Sequence, residues 1–249
     1  MDTVHRNRSR RLPGEWLRWR KPLIIACATA VLAGCTHAPT DGTATTTTTA
    51  ATTITATTSA AARPQAPVVE RVTAEQLGAT WRPECPVTPD QLRRVELDYL
   101  GLDARVHRGS LVVHQDLVEA VIAAFDRLYR LRFPIERMRT VDHYRGADDE
   151  LSMRDNNTSA FNCRDIPGSG KWSYHAYGRA IDVNPRFNPY IDGTGAFQPA
   201  NAGVYLDRNR IDPGLFKTGG APVRAFTDHG WQWGGYWRTP KDYQHFEMP

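Results

Sequence analysis

The stretch Ser173-Tyr174-His175-Ala176-Tyr177-Gly178-Arg179-Ala180-Ile181-Asp182-Val183-Asn184 sets an imidazole and a carboxylate seven residues apart around a glycine. If residues 179–184 form a strand, Ile181 and Val183 face a core while Ala180, Asp182 and Asn184 face the other side. Asp182 then sits on a rigid element, and His175, on the loop before it, can turn toward it. Near the chain end, Asp242-Tyr243-Gln244-His245-Phe246-Glu247 supplies a second histidine with an acid three residues earlier. Two imidazoles and one carboxylate, His175, Asp182 and His245, are three protein ligands. That set suits a catalytic zinc ion (Zn2+) that keeps its fourth position for water. Asp242 is the type of group that takes a proton from such a water, with Glu247 as the next candidate base. Spacing alone leaves the ordinary alternative open, in which the imidazoles are simply hydrogen-bonded in a core or on the surface.

Other chemical signals fail on their own terms. Gly168-Ser169-Gly170-Lys171 has part of a phosphate loop, but the first glycine is missing and Trp172 follows where Ser or Thr is required. Asp192-Gly193-Thr194-Gly195 is not the Asp-Thr-Gly of an aspartic protease, and no Gly-x-Ser-x-Gly elbow exists for a serine hydrolase. His107, His114, His143 and His229 are read as structural, without an acidic or histidine partner at ligand spacing.

The elements that must position these residues follow an α+β pattern over residues 68–249, with short elements, long loops, no repeat and no internal linker. Thr88-Pro89-Asp90 combines an N-cap, a first-position proline and a first-turn acid, and predicts a short helix. Residues 95–100 and 111–114 are expected strands around a Gly/Asp-rich turn. From Asp116 onward, Leu117, Val121, Ile122, Phe125, Leu128 and Tyr129 recur at helical spacing until Pro134 stops the run near Phe133. Residues 138–144 are expected to form a further strand.

Ser-x-His-x-x-Gly-x-Ala-x-Asp, from Ser173 to Asp182, resembles the first zinc motif of the D-alanyl-D-alanine carboxypeptidase superfamily of zinc peptidases. That superfamily includes the vancomycin-resistance D,D-peptidases and the phage L-alanyl-D-glutamate endolysins. Gly230-Trp231-Gln232-Trp233-Gly234-Gly235-Tyr236-Trp237, followed by Asp242-x-x-His245-Phe-Glu, is similar to the second motif in its endolysin-like form. Phe133-Pro134-Ile135, the stretch from Asp155 to Arg164 and that from Asn184 to Tyr190 also resemble this branch, so the likeness covers most of residues 80–249. It implies a single domain with a small antiparallel sheet, flanking helices and a zinc site. It also implies His175, Asp182 and His245 as zinc ligands, Asp242 as general base, and Ser173 as a substrate contact beside the metal. The implied activity is hydrolysis of the stem peptides of cell-wall peptidoglycan by a monomer. Asp242 departs from the Glu of the vancomycin-resistance members and matches the endolysin-like ones. An arginine before the first motif binds the substrate carboxylate in the family. Here spacing permits Arg154 or Arg164, with Arg164 preferred, since a guanidinium grips a carboxylate with two prongs. Trp231, Trp233, Tyr236 and Trp237 either wall the groove or form local core. A non-catalytic, zinc-stabilised peptidoglycan-binding module, as in hedgehog-type domains, is the competing reading.

The 249 residues are 41% hydrophobic and 23% charged, an ordinary globular balance that excludes collagen-like, coiled-coil and multi-span membrane chains. The formal charge of +4 is misleading. Residues 1–35 hold seven Arg/Lys against Asp2 and Glu15, a net of +5, so the rest carries 4 − 5 = −1 and gives no electrostatic case for nucleic acid. The basic start, the apolar run over 22–32 and the small-residue junction have the order of an export signal. Leu32-Ala33-Gly34-Cys35 resembles the lipobox of bacterial lipoproteins, which implies lipidation of Cys35 and a place at the cell envelope, anchored to a membrane outside the cytoplasm. A soluble secreted protein or an uncleaved anchor are the alternatives. Residues 36–63 contain 13 Thr in 28 positions and no core pattern. Such a segment is expected to be disordered, so 1–35 reads as signal, 36–67 as linker and 68–249 as the peptidase domain. With Cys27 and Cys35 in the leader, Cys85 and Cys163 remain, and in an oxidising compartment the simplest outcome is one disulfide.

Overall fold

The computed structural model describes residues 65–249. The expected signal segment, the lipidation site Cys35 and all but the last three residues of the expected linker lie outside the described residues. Strand β1 (Val68–Arg71) leads into a one-turn helix α1 (Ala74–Leu77), whose Thr73 and Gln76 form a reciprocal capping box. The Thr88-Pro89-Asp90 signal yields only a 3-10 turn, Pro89–Gln91, because strand β2 (Leu92–Leu100) starts at once after it. β2 pairs along its full length with β3 (Val106–His114), from Leu92 opposite His114 to Leu100 opposite Val106, and β1 adds to the far edge of β2. The expected strands at 95–100 and 111–114 are thus the halves of a longer hairpin.

Helix α2 (Val118–Arg130) lays Val121, Ala124, Phe125 and Leu128 into the core. Its 3.6-residue apolar spacing is the reason that this one face is buried. It ends before Phe133 and Pro134 as expected. Strand β4 (Arg137–Met138) replaces the longer strand expected over 138–144: residues Val141–His143 form a 3-10 turn. β4 pairs in parallel with β5 (Asn157–Thr158), which follows helix α3 (Asp149–Arg154). The ladder stops there because the next residue, Ser159, pairs instead with Asp182, so Arg139 is the last residue of this segment to bond to β5, through Thr158 and the Asn157 side chain. The Gly168-Ser169-Gly170-Lys171 stretch is the tip of a hairpin between β6 (Asp165–Ile166) and β7 (Lys171–Trp172).

The second half is built from very short strands. β8 (Ala180–Asp182) is one edge of a three-stranded antiparallel sheet, β11-β13-β8, with β11 at Gln232–Trp233 and β13 at His245–Glu247. A second sheet joins β10 (Phe197–Gln198), β9 (Tyr190–Ile191) and β12 (Lys241–Asp242). Helix α4 (Ala221–Thr227) packs on α2, setting Phe125 and Phe226 edge to face. The architecture is α+β, with small sheets, almost all of their pairings antiparallel, and flanking helices. Among the described residues no helix is long and apolar enough to cross a membrane.

The main core gathers Val95, Leu111, Phe125, Ile181, Phe216, Phe226, Trp233 and Phe246. Phe226 and Phe246 stack with ring centroids 4.0 Å apart. A smaller cluster of Val72, Leu77, Leu92, Val112 and Phe161 includes Cys163, with Cys85 packed against it. These two cysteines are joined as a disulfide across 78 residues. Unreduced, digested protein is expected to yield their peptides linked. Cys85→Ala together with Cys163→Ala is expected to lower stability by about 2–4 kcal/mol, because the open chain regains loop entropy when unfolded. Free thiols at both positions in protein isolated from an oxidising compartment would contradict this.

Candidate metal centre

Two sequence-distant segments meet because β8 and β13 pair in one register. His245 lies opposite Asp182, Phe246 opposite Ile181 and Glu247 opposite Ala180. Directly opposed residues share a face of the sheet, and successive residues alternate. Phe246 and Ile181 enter the aromatic core, so His245 and Asp182 must both point the other way. Asp182 is held from its second side too, since its backbone N–H and C=O bond to Ser159 at 2.9 and 3.0 Å. The expected strand over 179–184 is shorter, and Asn184 ends it in a left-handed conformation with φ 47°.

His175 arrives from a 3-10 turn, Tyr174–Tyr177. Ser173 caps that turn, its Oγ accepting from the His175 backbone N–H. Gly178 closes it with φ 66°, and a Cβ there would meet the His114 nitrogen at 2.7 Å. This position therefore needs glycine twice over, for its φ and for the close approach to β3.

The side chains converge. His175 Nε2 is 3.1 Å from Asp182 Oδ2 and 3.2 Å from His245 Nδ1, and His245 Nδ1 is 3.0 Å from Asp182 Oδ1. The other nitrogen of each ring is engaged. His175 Nδ1–H donates to the Ala160 carbonyl at 2.6 Å, and His245 Nε2–H donates to Glu247 Oε2 at 3.0 Å. A carbonyl can only accept, so the His175 proton is on Nδ1 and its Nε2 presents a lone pair inward. Two imidazole nitrogens and a carboxylate aimed at one point need a positive charge among them, a proton on an imidazole or a metal ion in its place. The edges of this triangle approach the about 3.3 Å expected of a tetrahedral site with ligand bonds of ~2.0–2.1 Å. The donor set fits a metal ion.

A proton on His245 is one way to supply that charge. Burial opposes charge on His245, but its hydrogen bonds to Asp182 and Glu247 and their charges outweigh it, pushing the imidazole up to about 10. Burial likewise opposes ionisation of Asp182, and the charge and hydrogen bonds of His175 and His245 hold its carboxyl well below the usual range.

Asp242 sits on β12, opposite Tyr190 of β9, and lines the same groove. Its carboxyl is buried, and among the described residues Oδ1 has no hydrogen-bond partner. Burial pushes it up to about 7, with the Asp182 charge adding to the effect and His245 opposing it. Gly234 lets this strand approach, since a Cβ there would lie 2.7 Å from the Asp242 carbonyl oxygen.

The groove has a volume of about 1060 Å³, and Ser173, Arg164, Asp149, Trp237 and Glu247 are among its walls. Arg164 pairs with Asp149 at 3.1 Å. Arg154, the alternative read from spacing, is exposed at the end of α3 and is not part of the groove. The aromatic cluster divides: Trp231 and Trp233 are core, Tyr236 is half exposed, and only Trp237 faces the groove, its ring 5.5 Å from that of His245. Sequence reasoning missed the Ala160 carbonyl, Asp149 and Gln244, and it held Glu247 only as a reserve base. Glu247 lies two residues beyond His245 on one strand, so a shared face was readable from the period alone. Two other histidines have acidic partners that the sequence reading did not assign. His107 contacts Asp103 at 2.9 Å and His114 contacts Asp116 at 3.3 Å. Neither gathers a third ligand, and among the described residues His175, Asp182 and His245 form the one group that could hold a metal.

A family model described as D-alanyl-D-alanine carboxypeptidase matches residues 167–248. That stretch, about a third of the chain, contains His175, Asp182, Asp242 and His245, and the match supports a peptidase of this family. No curated protein and no solved structure matches the chain.

With zinc as the probe, competition against a chelator is expected to show Glu247→Ala binding about 10- to 100-fold more weakly, because the partner of a ligating imidazole fixes its tautomer and raises its basicity. Unchanged affinity in this variant would remove Glu247 from the site.

Proposed function

We propose that the chain is a zinc-dependent peptidase that hydrolyses peptidoglycan stem peptides, as a D-Ala-D-Ala carboxypeptidase or as an L-Ala-D-Glu or D,D-endopeptidase. The observation that carries this reading is the buried triangle of His175, Asp182 and His245 with the carboxyl of Asp242 in the same groove, its Oδ1 unpaired among the described residues. His175 Nε2, His245 Nδ1 and an Asp182 oxygen would hold the ion. Zinc bound there supplies Lewis-acid polarisation of the scissile carbonyl and acidifies a water molecule. Asp242 takes the proton of the attacking water on its free oxygen and returns it to the leaving amine. Ser173 holds the turn that carries His175 and offers its hydroxyl to the substrate beside the metal residues. Arg164 exchanges Asp149 for the substrate's carboxylate, gaining a two-pronged charge-assisted contact. Trp237 walls the substrate against His245.

The N-terminal segment extends the proposal to the cell. Export, lipidation at Cys35 and a Thr-rich spacer would hold a monomeric domain near the membrane, within reach of the wall.

Incubation of the full-length protein with defined muropeptides, with products weighed by mass spectrometry, is expected to show cleavage of a stem-peptide bond. His175→Ala or His245→Ala is expected to lose both zinc and cleavage, since two protein ligands are too few to hold the ion. Full zinc occupancy in either variant by elemental analysis would sink the ligand assignment. Asp242→Asn is expected to keep zinc and fold while losing on the order of a hundredfold to ten-thousandfold in turnover. A parent protein inert toward every muropeptide that still binds intact peptidoglycan would make the chain a binding module.

A further inference from the structure

Gln244 lies between the two functional residues of the second motif and is 3% exposed, yet it lines the groove next to Asp242 and His245. Among the described residues its Nε2 donates only to the thioether sulfur of Met153, at 3.4 Å, and its Oε1 has no hydrogen-bond partner. A thioether is a weak acceptor. The thioether also fixes which end is left over: sulfur accepts from Nε2–H and would repel Oε1, so the amide oxygen is the unpaired group. Leaving such a group buried and unpaired is destabilising, a cost that leucine or methionine of similar volume would avoid. One turn before Met153 on α3, Glu150 spends Oε1 on the Ala200 N–H at 2.8 Å and leaves Oε2 buried without a partner. Both unpaired atoms on this wall are acceptors.

We infer that Gln244 is a substrate-contact residue whose Oε1 accepts an N–H of the substrate's peptide backbone. The inference rests on the peptidase reading and deepens it: the substrate must carry an unsubstituted amide at this subsite, so an ester or N-alkylated link there is discriminated against. The contact is separate from the metal residues and from the proton carrier, and it acts on binding.

The test uses full-length, zinc-loaded Asp242→Asn protein, so that ligands are not consumed, titrated by calorimetry with a stem pentapeptide and with analogues N-methylated one amide at a time. One analogue is expected to bind about tenfold more weakly than the unmodified peptide, the worth of one hydrogen bond. Adding Gln244→Leu is expected to weaken the unmodified peptide by the same factor and to abolish the discrimination against that analogue, with no fall in melting temperature. Discrimination that persists in Gln244→Leu overturns the contact and leaves the peptidase reading intact, as an ordered water on Oε1 would produce. A lowered melting temperature with unchanged discrimination makes Gln244 a structural residue and also overturns it. A protein that neither binds nor, with Asp242 restored, cleaves any of the peptides overturns both readings together.

Discussion

Two imidazole nitrogens and a carboxylate, directed at one point and shielded from water, share a positive charge, which a proton on His245 or a metal ion can supply. A buried carboxylate between two imidazoles is stabilised by such a charge, whether it is a proton on a ring or a metal ion in its place. The surrounding fold is built so that the arrangement cannot be relaxed by rotation. The Ala160 carbonyl holds one ring, Glu247 holds the other, and Asp182 is clamped on both backbone edges. A site that free side chains could escape would bind a cation weakly. Here the orientation is settled before any ion arrives.

That orientation rests in turn on the hydrophobic core behind it. Phe246 and Ile181 occupy the strand positions adjacent to His245 and Asp182, and they are buried among Phe216, Phe226 and Trp233. Slipping β13 by one residue would send Phe246 into the groove and His245 into the aromatic cluster, so the register is enforced by side chains that never touch the site. Each strand here is two or three residues long. Such strands have little stability of their own and depend on the stacked rings and on α2 and α4 for their place.

The elements most legible in the sequence were those with strong local period. The apolar spacing of α2, the hairpin of β2 and β3, and the His-Asp and Asp-His patterns all express constraints between near neighbours. A strand over 138–144 would need a partner along its length, and the chain after β5 turns at Ser159 to pair with Asp182. Thr88-Pro89-Asp90 carries a helix-start signal that the onset of β2 cuts short. The convergence of residues 175, 182 and 245 could be suspected from residue types, while the distances depend on a pairing across 63 residues that no local pattern encodes. The choice between Arg164 and Arg154 has the same cause: only the fold brings Asp149 of α3 within 3.1 Å of Arg164.

The two buried aspartates show how one groove assigns different work to the same chemical group. Asp182 has an imidazole on each oxygen, and their charge holds it ionised despite its burial. Asp242 is buried to a similar degree, but its Oδ1 has no partner and no hydrogen bond offsets the loss of water, so its proton is held far more tightly. Environments that push two carboxyls in opposite directions separate a permanent anion from a group that can gain and lose a proton near neutrality. Under the proposed mechanism the first is what a ligand must be and the second is what a base must be. Exchanging the residues' types would not exchange their roles, because the roles come from what each oxygen faces.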